Sequence, residues 1–289
     1  RLERDGRTIS GTGDGGYAMK MGWRMKGAAL AVAGLWLLAQ AAVAQVSGEI
    51  TKSNGQKIQG TLSWKSAVKQ YEVRPPNAAA SFPVPLDQVA GVRVAPPAAL
   101  DAAAKAVRSG QYTGPHIATL EKIVNDYLML EHDVTAMRWL AEAKLKQGSG
   151  KDVAKLFDKV MENRDPATVA PDAMRAYWDV LLEGERYSEL RQQLKWGIEQ
   201  GPRPVAASAQ LLRGEMDMRR GQFKDALVDG FLRTVVLFQD VRDVQPEALF
   251  KAAKCFEELG ESQNAEKMRK KLLSEFPDSS YSRQLGSGA

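Results

Sequence analysis

The sequence predicts a mostly α protein: an α-solenoid of about five helical hairpins preceded by a small five-stranded β barrel. Three observations carry that expectation. Glycines recur at Gly110, Gly148, Gly184, Gly221 and Gly260, at intervals of 38, 36, 37 and 39 residues, each at the end of a helix-like run. Apolar residues on both sides of these glycines follow the i, i+3, i+4, i+7 spacing of an amphipathic helix. Before the first glycine, residues 46–94 instead alternate with period two and contain the turn pair Asn54-Gly55.

In chain order, residues 1–18 are rich in Gly, Arg and Asp without periodicity, and are expected to be a disordered or non-native extension. Residues 19–44 have the layout of a signal peptide. Lys20, Arg24 and Lys26 are the basic region, residues 27–39 are the apolar core, and Ala42-Val43-Ala44 is an A-x-A cleavage site. The thirteen-residue core falls short of the ~20 residues a membrane span requires. Cleavage after Ala44 and export, to the periplasm, is therefore the expectation; an uncleaved membrane anchor is the alternative. The whole chain has 40 basic and 35 acidic residues, a net charge of +5. Without residues 1–44, which hold six basic and three acidic groups, 34 stand against 32, a net +2. Charge thus gives no indication of nucleic acid. Cys255 is the single cysteine, so no internal disulfide forms, and it reads as a buried apolar residue.

Residues 45–95 form the expected β domain. Ile58, Gly60, Leu62 and Trp64 share one side of a strand, Tyr71 and Val73 point inward from the next, and short pieces at 82–84, 86–89 and 91–94 complete about five strands. The Asn-Gly turn, the Ile-x-Gly-x-Leu strand and the final Val-x-Val resemble small SH3-like or Sm-like barrels. An Sm resemblance implies RNA through a polar turn, but Lys65-Ser66-Ala67-Val68-Lys69 lacks the Asp and Asn it needs. About 50 residues are marginal alone, so the domain is expected to dock on the helices.

Pro96-Pro97 separates the halves. Residues 96–285 then divide into repeats at 98–130, 133–163, 171–200, 204–239 and 246–279. The last is the clearest: Leu249, Ala252, Ala253, Phe256 and Leu259 line one face, Gly260 turns the chain, Ala265, Met268, Leu272, Leu273 and Phe276 line the next, and Pro277 stops it. A turn Gly, a small residue five positions on (Ala226, Ala265) and a terminating Pro resemble the tetratricopeptide repeat (TPR), and the chain is similar to periplasmic TPR proteins of bacterial envelopes. Repeats one and three lack the small residue and read as looser hairpins. In repeat four the run FLRTVVLF is apolar nearly all round, and is expected to be the most enclosed helix of the stack.

Signatures of catalysis are missing. The only histidines are His116 and His132, and beyond Ala44 there is no H-E-x-x-H, C-x-x-C, G-x-S-x-G, P-loop or dinucleotide fingerprint. Asp225 and Asp229 read as a solvated pair, and Lys267, Arg269, Lys270 and Lys271 as a solvated face. No cofactor, metal or catalytic residue is expected. The TPR resemblance implies a concave groove lined by the first helix of each hairpin, and nominates Arg138, Glu142, Met174, Trp178, Leu211, Met218, Phe250 and Lys254 for contact with a protein or peptide partner. The expected function is a non-enzymatic adaptor or scaffold. Its alternatives are binding of a cell-wall polymer through the β domain, with Trp64 as the grip, or a membrane-tethered assembly subunit.

Overall fold

Five β-strands and eleven helices follow one another in the computed structural model, which describes residues 46–286. The expected extension and signal peptide lie outside those residues. The strands are β1 Val46–Lys52, β2 Lys57–Lys65, β3 Gln70–Arg74, β4 Phe82–Pro85 and β5 Val89–Val94. They form one antiparallel sheet in the order β4-β3-β2-β1-β5. β4 and β5 lie at opposite edges and do not pair, so the expected barrel is corrected to an open sheet. At Asn54-Gly55 the loop is three residues long, closed between Lys52 N–H and Gln56 O at 2.8 Å, with Gly55 at φ 85°.

Period-two alternation puts Ile50, Leu62, Trp64, Tyr71, Val73, Val84 and Val94 on one buried face. The loop between the helices Pro115–Asp126 and Asp133–Lys146 covers that face: Met129 and Leu130 are buried with it. Tyr71 donates its hydroxyl to Met129 O at 2.9 Å, and Glu131 accepts Val94 N–H at 3.1 Å. Asp133, fully buried, holds this loop by accepting Met129 N–H at 2.8 Å and pairing with Arg164. The sheet thus closes its core on the helices, the docking its size calls for. Trp64 is buried against Tyr71, ring centroids 4.8 Å apart, so the polymer grip assigned to it is also corrected.

The helices pair as α1 Ala98–Arg108 with α2 Pro115–Asp126, α3 Asp133–Lys146 with α4 Ala154–Met161, and α5 Pro171–Glu183 with α6 Tyr187–Gln200. α7 Arg203–Arg219 pairs with α8, which comprises Phe223–Asp225, a π-helical turn Ala226–Phe231 and Leu232–Leu237. α9 Gln245–Glu258 pairs with α10 Ser262–Glu275, and α11 Ser280–Gly286 packs on both. The result is a stack of five TPR-like hairpins.

Four of the turns share one geometry. Gly110, Gly148, Gly221 and Gly260 have φ between 67° and 84°, and each is followed by an N–H bonded five residues back, as Glu261 N–H to Phe256 O at 2.7 Å. The third turn departs. Gly184 has φ −76°, and the left-handed residue is Glu185 at φ 55°, with Arg186 N–H reaching Leu181 O at 2.9 Å. The motif is intact but displaced by one residue onto a side chain that disfavours it.

α7 is gripped closely on both sides. A Cβ on Gly230 would lie 2.2 Å from Gly214 Cα, and one on Gly197 would lie 2.8 Å from both Ala209 Cβ and Trp178. The π-helical turn sits at the Gly214–Gly230 contact. Its Asp229 carbonyl accepts from the buried Gln210 amide, and Thr234 Oγ1 donates to Gly230 O at 3.1 Å. The expectation that this helix is the most enclosed is corrected: Val228, Val236 and Leu237 are exposed.

Candidate functional site

First helices of successive hairpins form the inner layer of a TPR-like stack. Here they put charged residues one turn apart on the same face: Arg138 and Glu142 on α3, Arg175 and Asp179 on α5, Glu215 on α7, Glu247 and Lys251 on α9. The i, i+4 spacing makes neighbours of each pair, and stacking brings one helix's pair to the next.

Between α3 and α5 these residues line an open cleft of about 460 Å³, with Leu145 and Ala176 as apolar walls and Arg138, Glu142, Lys146, Asp172, Arg175 and Asp179 as the polar ones. Arg138 is held in three directions. Its Nε is 2.9 Å from Asp172, its Nη1 is 3.6 Å from Glu142, and its guanidinium lies 3.5 Å from the centroid of the Trp139 ring. A planar cation fixed over an aromatic face is already ordered before any ligand arrives.

Further along, the charges close into a hub. Arg175 Nε is shared between the two oxygens of Asp179 at 2.9 and 3.0 Å. Its Nη2 reaches Glu215 at 3.5 Å and Glu247 at 3.4 Å. Lys251 Nζ lies 2.6 Å from both Glu215 and Glu247. Three carboxylates therefore share Arg175 and Lys251, with Arg219 at 3.9 Å from Glu215, and α5, α7 and α9 are joined through the Arg175 guanidinium. Burial pushes the Glu247 carboxyl up, but Arg175 and Lys251 outweigh it and hold the group down at about 2. Asp179 goes the other way: burial raises it, and Glu215 and Glu247 add to that against the pull of Arg175. From α11, Tyr281 bonds to Glu247 and stacks on Phe250 with centroids 5.3 Å apart, closing this end of the inner face. Burial, then the charge of Glu247, raises its hydroxyl.

The eight nominated contacts fall into three groups. Arg138 and Glu142 line the cleft. Met218 is half-buried within hairpin four, Phe250 is buried under Tyr281, and Lys254 is exposed with its Nζ 4.5 Å from the Phe250 ring. Met174, Trp178 and Leu211 are fully buried and offer nothing to a partner, which corrects their assignment. The inner face of α5 begins one residue later, at Arg175, because Trp178 points toward α6 and packs on Gly197. A signal for the true face was present: Arg175 and Asp179 follow Arg138 and Glu142 by 37 residues, the repeat interval.

The remaining chemical candidates are structural. His132 Nε2 is 3.1 Å from Val94 O and its ring packs edge-on to Tyr127; His116 Nε2 is 2.7 Å from Gln111 O. Burial and then Glu258 push the Cys255 thiol up to about 11. Asp229 pairs with Arg233 at 2.8 Å, and Arg269 pairs with Glu257. Among the described residues no group of three or more His, Cys, Asp or Glu side chains is placed to hold a metal ion.

Fold and inner face together define a TPR-like helical-repeat protein bearing a small β-sheet. No family model matches the chain, and no curated protein matches its sequence. Solved structures are similar in fold. One, a kinesin light chain from Podosopora anserina with nearly identical TPR-like repeats, is 13% identical with a TM-score of 0.46, over 61% of this chain and 92% of that one. Another, MamA, is 17% identical with a TM-score of 0.42, over 61% and 88% respectively.

Proposed function

We propose that this protein is a non-enzymatic, exported adaptor that holds a protein or peptide partner in the cleft between α3 and α5. The observation that supports this most is the cleft's construction. Arg138, Glu142, Asp172 and Asp179 sit on two packed helices, and Arg138 is fixed by an ion pair and an aromatic ring before binding. Ordering such groups in advance lowers the entropy lost on association. A polypeptide offers the matching chemistry, with charged side chains to exchange for the internal pairs and apolar ones for Leu145 and Ala176. Export is supported by the basic, apolar and A-x-A segments of residues 19–44.

Crosslinking mass spectrometry in the native host tests the partner. Arg138→Glu reverses the charge at the centre of the cleft and should cost the captured partner at least about tenfold in affinity, as loss of one interface hot spot does. Undiminished capture by a folded Arg138→Glu variant would place the partner elsewhere. N-terminal sequencing of the protein from the host tests export, which predicts a start at Gln45.

A further inference from the structure

In the cleft between α3 and α5 the cations are already engaged, whereas the carboxylates have capacity to spare. Arg138 gives its Nε to Asp172 at 2.9 Å and lies over the Trp139 ring, and its Nη1 is buried, 3.6 Å from Glu142. Arg175 is divided among Asp179, Glu215 and Glu247. Lys146 has no ion pair among the described residues, but it stands exposed at the rim. A carboxylate has room for about four donors. Asp179 receives Arg175 Nε, shared between its two oxygens at 2.9 and 3.0 Å. Glu142 has only the 3.6 Å approach of Arg138, beyond hydrogen-bond reach.

We propose that the cleft recognises its polypeptide partner by a basic side chain, a lysine ammonium or arginine guanidinium seated on Asp179 with its aliphatic stem along Leu145 and Ala176. The inference rests on the cleft being the partner site. An acidic side chain in the same place would meet Glu142, Asp172 and Asp179, with only the rim Lys146 uncommitted. A basic one finds open acceptors on groups the protein already holds still. Asp179 is 28% exposed and lines the cleft, while its other side lies against the hub. Burial raises its carboxyl, and Glu215 and Glu247 add to that against Arg175. A carboxylate raised in this way costs the free protein stability at neutral pH, and a cation from the partner relieves that cost. Loss of stability at a group that faces a ligand is the trade expected of a binding residue.

Random linear peptides displayed on phage and selected on the whole purified protein supply the probes. The selected peptides should share one Lys or Arg. Replacing it by Met, which keeps the stem and removes the charge, should weaken binding by about tenfold or more. Asp179→Asn should weaken the unaltered peptide by a similar factor. Both changes together should cost little more than either alone, because they remove the same contact. Asp179→Asn should melt no lower than the parent, since it deletes a charge that burial opposes. Peptides that lose binding to Arg138→Glu yet carry no basic residue overturn the proposal and leave the cleft as the partner site. Additive losses from the peptide's basic residue and Asp179→Asn do the same. Peptides indifferent to Arg138→Glu, or none selected at all, overturn the cleft reading and the proposal with it. A melt of Asp179→Asn well below the parent makes Asp179 a structural partner of Arg175 and also overturns the proposal.

Discussion

Arg175→Met removes the guanidinium on which three hairpins converge while keeping most of the side chain's apolar length. In the parent, Arg175 faces Asp179, Glu215 and Glu247, all within 3.5 Å, and its side chain is 21% exposed. The variant leaves Glu215 and Glu247 with Lys251, and Glu215 also with Arg219 at 3.9 Å, while Asp179 loses the cation that Arg175 supplied. Breaking a buried pair by deleting one partner costs ~3–5 kcal/mol, and the residual exposure argues for the lower end, about 3 kcal/mol. For a folded unit of this size, 1 kcal/mol moves Tm by ~2–4 °C, so the expected drop at pH 7 is about 6–12 °C. The pH dependence separates this cause from simple loss of packing. In the parent, Glu247 is held at about 2 against an ordinary 4.5, so its stabilisation is complete above pH 4.5 and is lost as pH falls toward 2. In the variant the larger of the two depressing charges on Glu247 is gone, and Asp179, already raised by burial and by its carboxylate neighbours, loses the guanidinium that opposed that rise. A raised carboxyl costs stability as pH rises through its range, and that cost disappears when it takes up a proton. The gap between variant and parent Tm should therefore narrow between pH 7 and pH 4. Melts by circular dichroism across that range provide the test; a gap under about 2 °C at pH 7, or one that ignores pH, would refute the reasoning.

Two further outcomes follow from the turns and the helix crossings. Glu185 has the left-handed φ of 55° that glycine has in the other four turns, so Glu185→Gly should stabilise the protein by about 1 kcal/mol; a lowered denaturation midpoint would contradict this. Gly230→Ala puts a Cβ 2.2 Å from Gly214 Cα, where only backbone movement relieves the clash, and should cost at least about 2 kcal/mol. Gly221→Ala meets nothing within 4 Å and suffers only its φ of 72°, so it should cost about 1 kcal/mol. Equal losses at Gly230 and Gly221 would remove the close crossing as the cause.

Much of the architecture was legible because it is local. Apolar spacing of three and four residues sets the helices, alternation sets the strands, and a left-handed turn residue with no Cβ penalty marks four of the five hairpin bends. Each depends on residues within one or two turns of each other. The third bend shows where this ends: Gly184 is present, yet the backbone places the left-handed conformation on Glu185.

What a chain segment presents to the inner face depends on how its helix is rotated against its neighbours, and a shift of one residue turns a side chain by about 100°. Trp178 and Gly197 set that rotation for α5 from 19 residues apart, burying Met174 and Trp178 and bringing out Arg175 and Asp179. The Gly214–Gly230 contact accompanies the π-helical turn that leaves Val228 and Val236 in solvent, against a pattern that reads as wholly enclosed. Whether the sheet closes on itself or on Met129 and Leu130 is likewise a question of which surface is nearer. The sequence by itself determined the elements, their order and their bends, because those follow from short-range sterics and periodicity. Only the tertiary structure decided which faces look inward, because that comes from contacts between residues far apart in the chain.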